Sequence, residues 1–179
     1  MGRLCQFELQ KLVMGVLSSD ESLHERLIET LVQRFGPIQE ESEHVPFLFT
    51  DYYNKEMGGQ PFRCFIVFKD LVDPSLLATI KLETNEIEQL FADKGNRKIN
   101  LDPGILSAGS FILATTKNRS HRIPLHDGIY AETTLIYHGH CFNALPWTYA
   151  DYRTEAFRTL FERYRNDYLQ QLRMLENRL

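Results

Sequence analysis

Three cysteines, Cys5, Cys64 and Cys141, are widely spaced and form no CxxC pair. That excludes a disulfide framework and paired-cysteine zinc motifs, and it fits a reducing compartment. Long apolar runs are missing as well. Stretches such as Pro46-Phe47-Leu48-Phe49 fall far short of the ~20 residues that span a bilayer. The opening MGRLCQFELQ holds one Arg and no apolar core of signal-peptide length, and Gln6 misses the Ser or Thr of a myristoylation signal. These features predict a cytoplasmic location and no membrane partner. Positive charge is not in excess either. The 20 Lys and Arg stand against 24 Asp and Glu, a net charge of -4, which gives no general pull toward nucleic acid.

What is present is an ordinary globular composition, 43% hydrophobic and 25% charged, over 179 residues that read as one domain, 1–179. Lys11 to Leu17 reads as a buried first strand. Ser18 and Glu21 fit a capping box for a helix with the stripe Leu23, Leu27, Leu31 and Phe35, stopped by Gly36-Pro37. Phe62 to Phe68 is the clearest strand of the first half. Asp73-Pro74 then opens a second helix with apolar face Leu77, Ile80, Ile87 and Phe91. Lys98 to Asp102 reads as a strand ended by a turn at Asp102-Pro103-Gly104. Phe111 to Lys117, His121 to Leu125 and Ile129 to Tyr137 read as an antiparallel meander, and a long amphipathic helix closes the chain from about Thr154. The predicted fold class is α+β: a ferredoxin-like βαββαβ core extended by the meander, with a long C-terminal helix. A doubly wound parallel sheet would need helices between the late strands, where the turns are too short.

Ionisable residues concentrate in two stretches. Lys81, Asn85 and Glu88 lie at i, i+4 and i+7 on the border of the second helix's apolar face, where polar groups can be aimed into a cleft. The run from Arg97 to Tyr137 adds Asp102, Lys117, His121, Arg122, Tyr130 and Glu132. If the two faces meet, Lys81, Arg97, Lys117 and Arg122, with Arg63 from the 62–68 strand, would hold an anion such as a phosphate. Asn85 and Tyr130 would add ligand contacts. Asp51, Glu88 and Asp102 supply the carboxylate oxygens that Mg²⁺ takes together with ligand phosphates. His121 is the natural general acid or base, since histidine titrates near neutrality, with Glu132 as its companion. The plainer alternative is that these groups form ion pairs with one another. His138-Gly139-His140 lacks a further ligand at zinc spacing and reads as an exposed turn. Trp147, Tyr149 and Tyr152 either anchor the last helix or form a stacking platform.

Several segments carry a resemblance. They are Thr50-Asp51-Tyr52-Tyr53 with Glu56-Met57-Gly58, Thr84-Asn85 with Glu88, and Asn100 with Asp102-Pro103-Gly104. Further on come Ala114-Thr115-Thr116-Lys117, His121-Arg122, Gly128-Ile129-Tyr130-Ala131-Glu132, and Leu145-Pro146-Trp147-Thr148-Tyr149 with Asp151-Tyr152-Arg153. On these residues the chain resembles a bacterial family catalogued as domain of unknown function 4416, whose members are sometimes labelled GTP-binding proteins. Ala150 departs from the family pattern, which carries Pro there. The label implies a nucleotide, but the sequence has no GxxxxGK[ST] phosphate cradle, and Asn54-Lys55-Glu56 does not continue to the Asp of an NKxD base-reading motif. A nucleotide would therefore sit in a site built from side chains rather than on a P-loop.

The expected function is binding of a nucleotide or other phosphorylated small molecule in a polar Arg/Lys/carboxylate cleft, with phosphoryl transfer or hydrolysis as the matching reaction class. The alternative is a non-catalytic module that binds RNA or a partner protein through its sheet. The charge balance and the lack of an RNP-type aromatic signature count against RNA.

Overall fold

The computed structural model describes residues 4–50 and 57–177. The strands are β1 (Gln10–Ser18), β2 (Ile38–Glu41), β3 (Val45–Pro46), β4 (Phe62–Val72), β5 (Ile99–Leu106), β6 (Ser110–Thr115), β7 (Ile123–Pro124), β8 (Tyr130–His138) and β9 (Cys141–Ala144). The helices are α1 (His24–Phe35), α2 (Leu77–Leu90) and α3 (Glu155–Glu176). Among the described residues the nine strands form one sheet in the order β2-β4-β1-β5-β6-β8-β7, with β3 on β4 and β9 on β8. Every pairing is antiparallel. The architecture is mixed α+β with a large antiparallel sheet and a C-terminal helix.

The continuous apolar run of β1 fits its central place, because a strand covered on both faces has no solvent side to alternate with. Leu12, Met14 and Val16 face α1 and α2, packing with Leu27, Leu31, Ile80 and Ile87. Val13 faces the other way, into a cluster of Phe65, Phe111, Tyr152, Phe161 and Tyr164 beneath α3. Helices thus cover both sides of the central strands. No helix among the described residues is long and apolar enough to cross a membrane.

Local signals set most boundaries. Gly36 stops α1 at a φ of 89°, its N–H returning to the carbonyl of Val32. Asp73 accepts from the Ser75 N–H, and Pro74 opens a 3-10 turn leading into α2. The helix entry after β1 differs from the Ser18/Glu21 capping box. Ser18 is still the last strand residue, and Asp20 is the cap, accepting from the Ser22 N–H at 2.9 Å.

A second correction concerns Asp102-Pro103-Gly104, which is not a turn. β5 runs straight through it, with Asp102 opposite Gly15, Pro103 opposite Met14 and Gly104 opposite Val13. The ladder to β6 starts only at Gly104, so Pro103 has an open edge toward which it can lack an N–H. The glycine serves packing rather than a bend: a Cβ there would lie 2.4 Å from the Phe111 ring. Phe111 is itself fully buried against Phe161 and Tyr152 and has little room to retreat. Gly104→Ala is therefore expected to destabilise the fold by about 1–3 kcal/mol in urea unfolding, and adding Phe111→Leu should recover part of the loss.

The late strands are antiparallel, with β8 lying between β6 and β7. Pro124 confines β7 to two residues at the sheet edge. Gly139 and His140, both exposed and at positive φ, turn β8 into β9.

Candidate functional site

β5 and β6 pair over only three residues each, Gly104–Leu106 with Phe111–Leu113. Below that point the start of β5 and the end of β6 have no ladder between them, and the sheet opens into a cleft. The cavity is about 420 Å³, within the range of small-ligand sites. Asn100 and Asp102 line it from β5 and Ala114 to Lys117 from the end of β6 and beyond. Lys81 and Asn85 of α2 close one side, and Tyr149 to Tyr152, before α3, close the other. Phe47, Phe49 and Thr50, with Arg63 of β4, also line it.

Arg63 is the hub. Its guanidinium is buried and meets Asp102 at 3.2 Å and Asp151 at 3.0 Å. It lies over the rings of Phe47, Phe65 and Tyr152 at 5.4–5.8 Å, a flat cation sandwiched by aromatic surface. Gly15 makes the room, since a Cβ there would come within 2.9 Å of Arg63 Nη1 and 3.0 Å of the Tyr152 hydroxyl. The two carboxylates respond differently. Burial alone would raise the pKa of Asp102, but Arg63, Lys81 and hydrogen bonds from Asn100 and Arg63 hold it below the ordinary value. Asp151 is pushed up by burial and by its neighbour Asp102, against the pull of Arg63.

Behind the α2 wall a second network forms. Glu88 is buried and fully engaged: Oε1 accepts from the Leu101 N–H at 2.8 Å, and Oε2 accepts from Arg97 at 3.1 Å. Lys81 Nζ lies 3.5 Å from Glu88 Oε1 and donates to the carbonyl of Leu101 at 2.7 Å. Arg97 also donates to Asn100 Oδ1. Both cations are thus tethered at the cleft edge by backbone and amide groups as well as by Glu88.

The third cluster stands beyond the lining. Buried Glu132 accepts from Arg122 Nε at 2.6 Å and pairs with His121 Nε2 at 3.0 Å. Arg122 spends its other nitrogens on the Lys117 carbonyl, the Thr115 hydroxyl and the Tyr149 hydroxyl. It is a strap that holds the end of β6 against Tyr149. His121 stacks flat on Trp147, whose indole N–H donates to the Thr133 carbonyl.

The sequence-predicted residues therefore divide. Arg63, Lys81, Asn85, Arg97, Lys117 and Asp102 line one cavity. Among the described lining residues His121, Arg122, Tyr130 and Glu132 are absent; Tyr130 pairs with Thr115 in the ladder and the other three form the strap. The Arg122 nitrogens are committed to protein groups, and His121 pairs through Nε2 with Glu132 outside the described lining. Glu88 is likewise no free Mg²⁺ ligand, since both its oxygens are taken. Asp51 lies outside the described residues. Sequence reasoning missed Asp151 as the second partner of Arg63.

The chain matches the model of the family described as Domain of unknown function (DUF4416) over residues 8–168. It belongs to that family. No curated protein and no solved structure matches it. The matched span takes in all of the described lining of the DUF4416 cleft, from Phe47 to Tyr152.

Proposed function

We propose that this DUF4416 protein binds a nucleotide or another phosphorylated small molecule in the cleft, held by its phosphate. The observation that carries the reading is the convergence of Lys81, Arg97 and Lys117, from three separate segments, on one cavity of ligand size. Such cations recognise phosphate oxygens through charge-assisted hydrogen bonds. Phe47, Phe49 and Tyr149 offer apolar surface for a base or sugar. Among the described residues no three metal-ligating side chains meet in the cleft, so Mg²⁺ would enter with the ligand's phosphates and take Asp102 as its protein carboxylate.

Helices cover both faces of the central strands, which argues against a module binding RNA or a partner through an open sheet. The order β2-β4-β1-β5, with α1 and α2 on one face, supports a ferredoxin-like core of two interleaved split βαβ units, on which β6 to β9 add the other wall of the cleft. The working location remains the cytoplasm, where such ligands are abundant.

Thermal-shift screening against nucleotides, sugar phosphates and inorganic phosphate, with and without Mg²⁺, tests the reading. A ligand at ~100 times its Kd stabilises by about 2.7 kcal/mol, a rise of roughly 5–11 °C for a domain of this size. The rise should disappear in Lys117→Ala and Lys81→Met. A screen in which no phosphorylated compound shifts the wild type would sink the proposal.

A further inference from the structure

On the opposite face of β4 from Arg63, three ligand-type side chains from separate segments meet at the sheet edge. His24 is the first residue of α1, Glu41 the last of β2, and His44 lies in the link to β3. Both imidazole Nε2 atoms address the same carboxylate oxygen, Glu41 Oε1, at 2.8 Å from His24 and 2.6 Å from His44. The rings are held in place. His44 stacks on Phe62 at 4.6 Å and meets the His24 ring edge-on at 4.7 Å. The three donor atoms all lie within 4.8 Å of one another. His24 Nδ1 is buried with no partner, so that ring makes its polar contacts through Nε2 alone.

We propose that His24, Glu41 and His44 bind a divalent transition-metal ion of the zinc type, through the two Nε2 atoms and the Glu41 carboxylate. Two histidines and one carboxylate are an established donor set for zinc, at ~2.0–2.2 Å per bond, with the fourth position left to solvent. Tetrahedral bonds of that length set donor atoms roughly 3.3 Å apart, so the two short N···O spacings need to open by less than ~1 Å. The side chains are 21–32% exposed, which leaves an entry path and an open fourth position. Mg²⁺ and Ca²⁺, which take all-oxygen shells, do not fit two imidazoles.

The surroundings supply what a ligating carboxylate needs. The buried Cys64 thiol hydrogen-bonds to Glu41. That contact orients the Glu41 carboxylate. An ion here would fasten the start of α1 to the edge strands β2 and β3, whose next neighbour is the Arg63-bearing strand β4. This site is independent of the phosphate cleft, and its test uses the metal alone.

Chelator-stripped full-length protein is titrated with Zn²⁺ by calorimetry and with Co²⁺ by visible absorption. The expected result is one ion per chain, a tetrahedral Co²⁺ band and a higher melting temperature with Zn²⁺. Losing even a supporting residue of a zinc site costs about 10–100-fold in affinity, so His44→Ala and Glu41→Gln should each weaken binding by at least ~10-fold. His44 is on an exposed link, and circular dichroism of His44→Ala verifies that the fold is kept. The exposed His138/His140 turn is the control: His138→Ala/His140→Ala should bind as the wild type does. Undiminished binding in His44→Ala, transfer of the loss to the His138/His140 variant, or no stoichiometric binding by the wild type would each overturn the proposal.

Discussion

Arg63→Met is expected to cost about 3–5 kcal/mol of folding stability, because it removes the one cation shared by Asp102 and Asp151 and leaves the charge of Asp151 buried without its partner. The loss should depend on pH in a definite direction. In the wild type, Asp102 has a depressed pKa, so its stabilisation is present above the ordinary Asp value and is lost as pH falls through its folded value. Asp151 has a raised pKa, so the strain of its charge is relieved as pH falls through its own folded value. Without Arg63 both groups move upward, since burial and mutual repulsion are then opposed only by Lys81 and Asn100 at Asp102 and by backbone hydrogen bonds at Asp151. The difference between variant and wild type is therefore largest near neutral pH and shrinks at mildly acidic pH, as the variant's carboxylates take up protons. Urea unfolding at neutral and mildly acidic pH measures this. Arg63→Lys should not restore the wild type, because one ammonium cannot make two pairs and a ring sandwich at once. Asp151→Asn placed in the Arg63→Met background should recover part of the loss. A pH-independent difference would mean that the network is held by packing rather than by charge.

The network also shows what a sequence reading reaches and where it stops. The Lys81-Asn85-Glu88 edge was legible because helical spacing alone sets which residues border an apolar stripe, and all three are found at the cleft or just behind its wall. Arg63, Asp102 and Lys117 were legible as charges at strand positions. The partnership of Arg63 with Asp151 was not. Asp151 sits in a 3-10 turn before α3, which has no periodicity, and only the docking of Tyr152 under α3 brings it to β4. Glu132 was legible as a charge on the last strand of the 97–137 run, but its spacing could not say that Arg122 would fill the space in front of it. The bulge between Phe111 and Ile112 also breaks the simple alternation along β8. Asp102-Pro103-Gly104 misled for a different reason. Proline and glycine are strong turn signals, yet here one sits at an unpaired stretch of strand edge and the other makes room for a ring.

Glu88 offers the sharpest separation between a ligand site and a set of structural ion pairs. Glu88→Ala is expected to cost about 3–5 kcal/mol, because Lys81 and Arg97 lose their counter-charge and the buried Leu101 N–H loses its acceptor. Glu88→Gln removes the charge while keeping a carbonyl oxygen, so it should fold well enough to study. In that variant Lys81 stays tethered by the Leu101 carbonyl and Arg97 by Asn100, and both remain at the cleft edge with no anion behind them. Their attraction for a phosphate in front of them must then rise. A unit charge at a few ångströms is worth about 4 kcal/mol at an effective dielectric of ~20, and roughly a third of it survives solvent and relaxation. Phosphorylated ligands should bind Glu88→Gln about tenfold more tightly than the wild type, a gain of ~1.4 kcal/mol. Saturating ligand should correspondingly narrow the stability gap between the two proteins. Calorimetric titration of both with the strongest compound from the thermal-shift screen measures the first effect, and melting with and without that compound measures the second. If the cations serve only to pair with Glu88, the variant will be less stable by the same amount whether or not the compound is present.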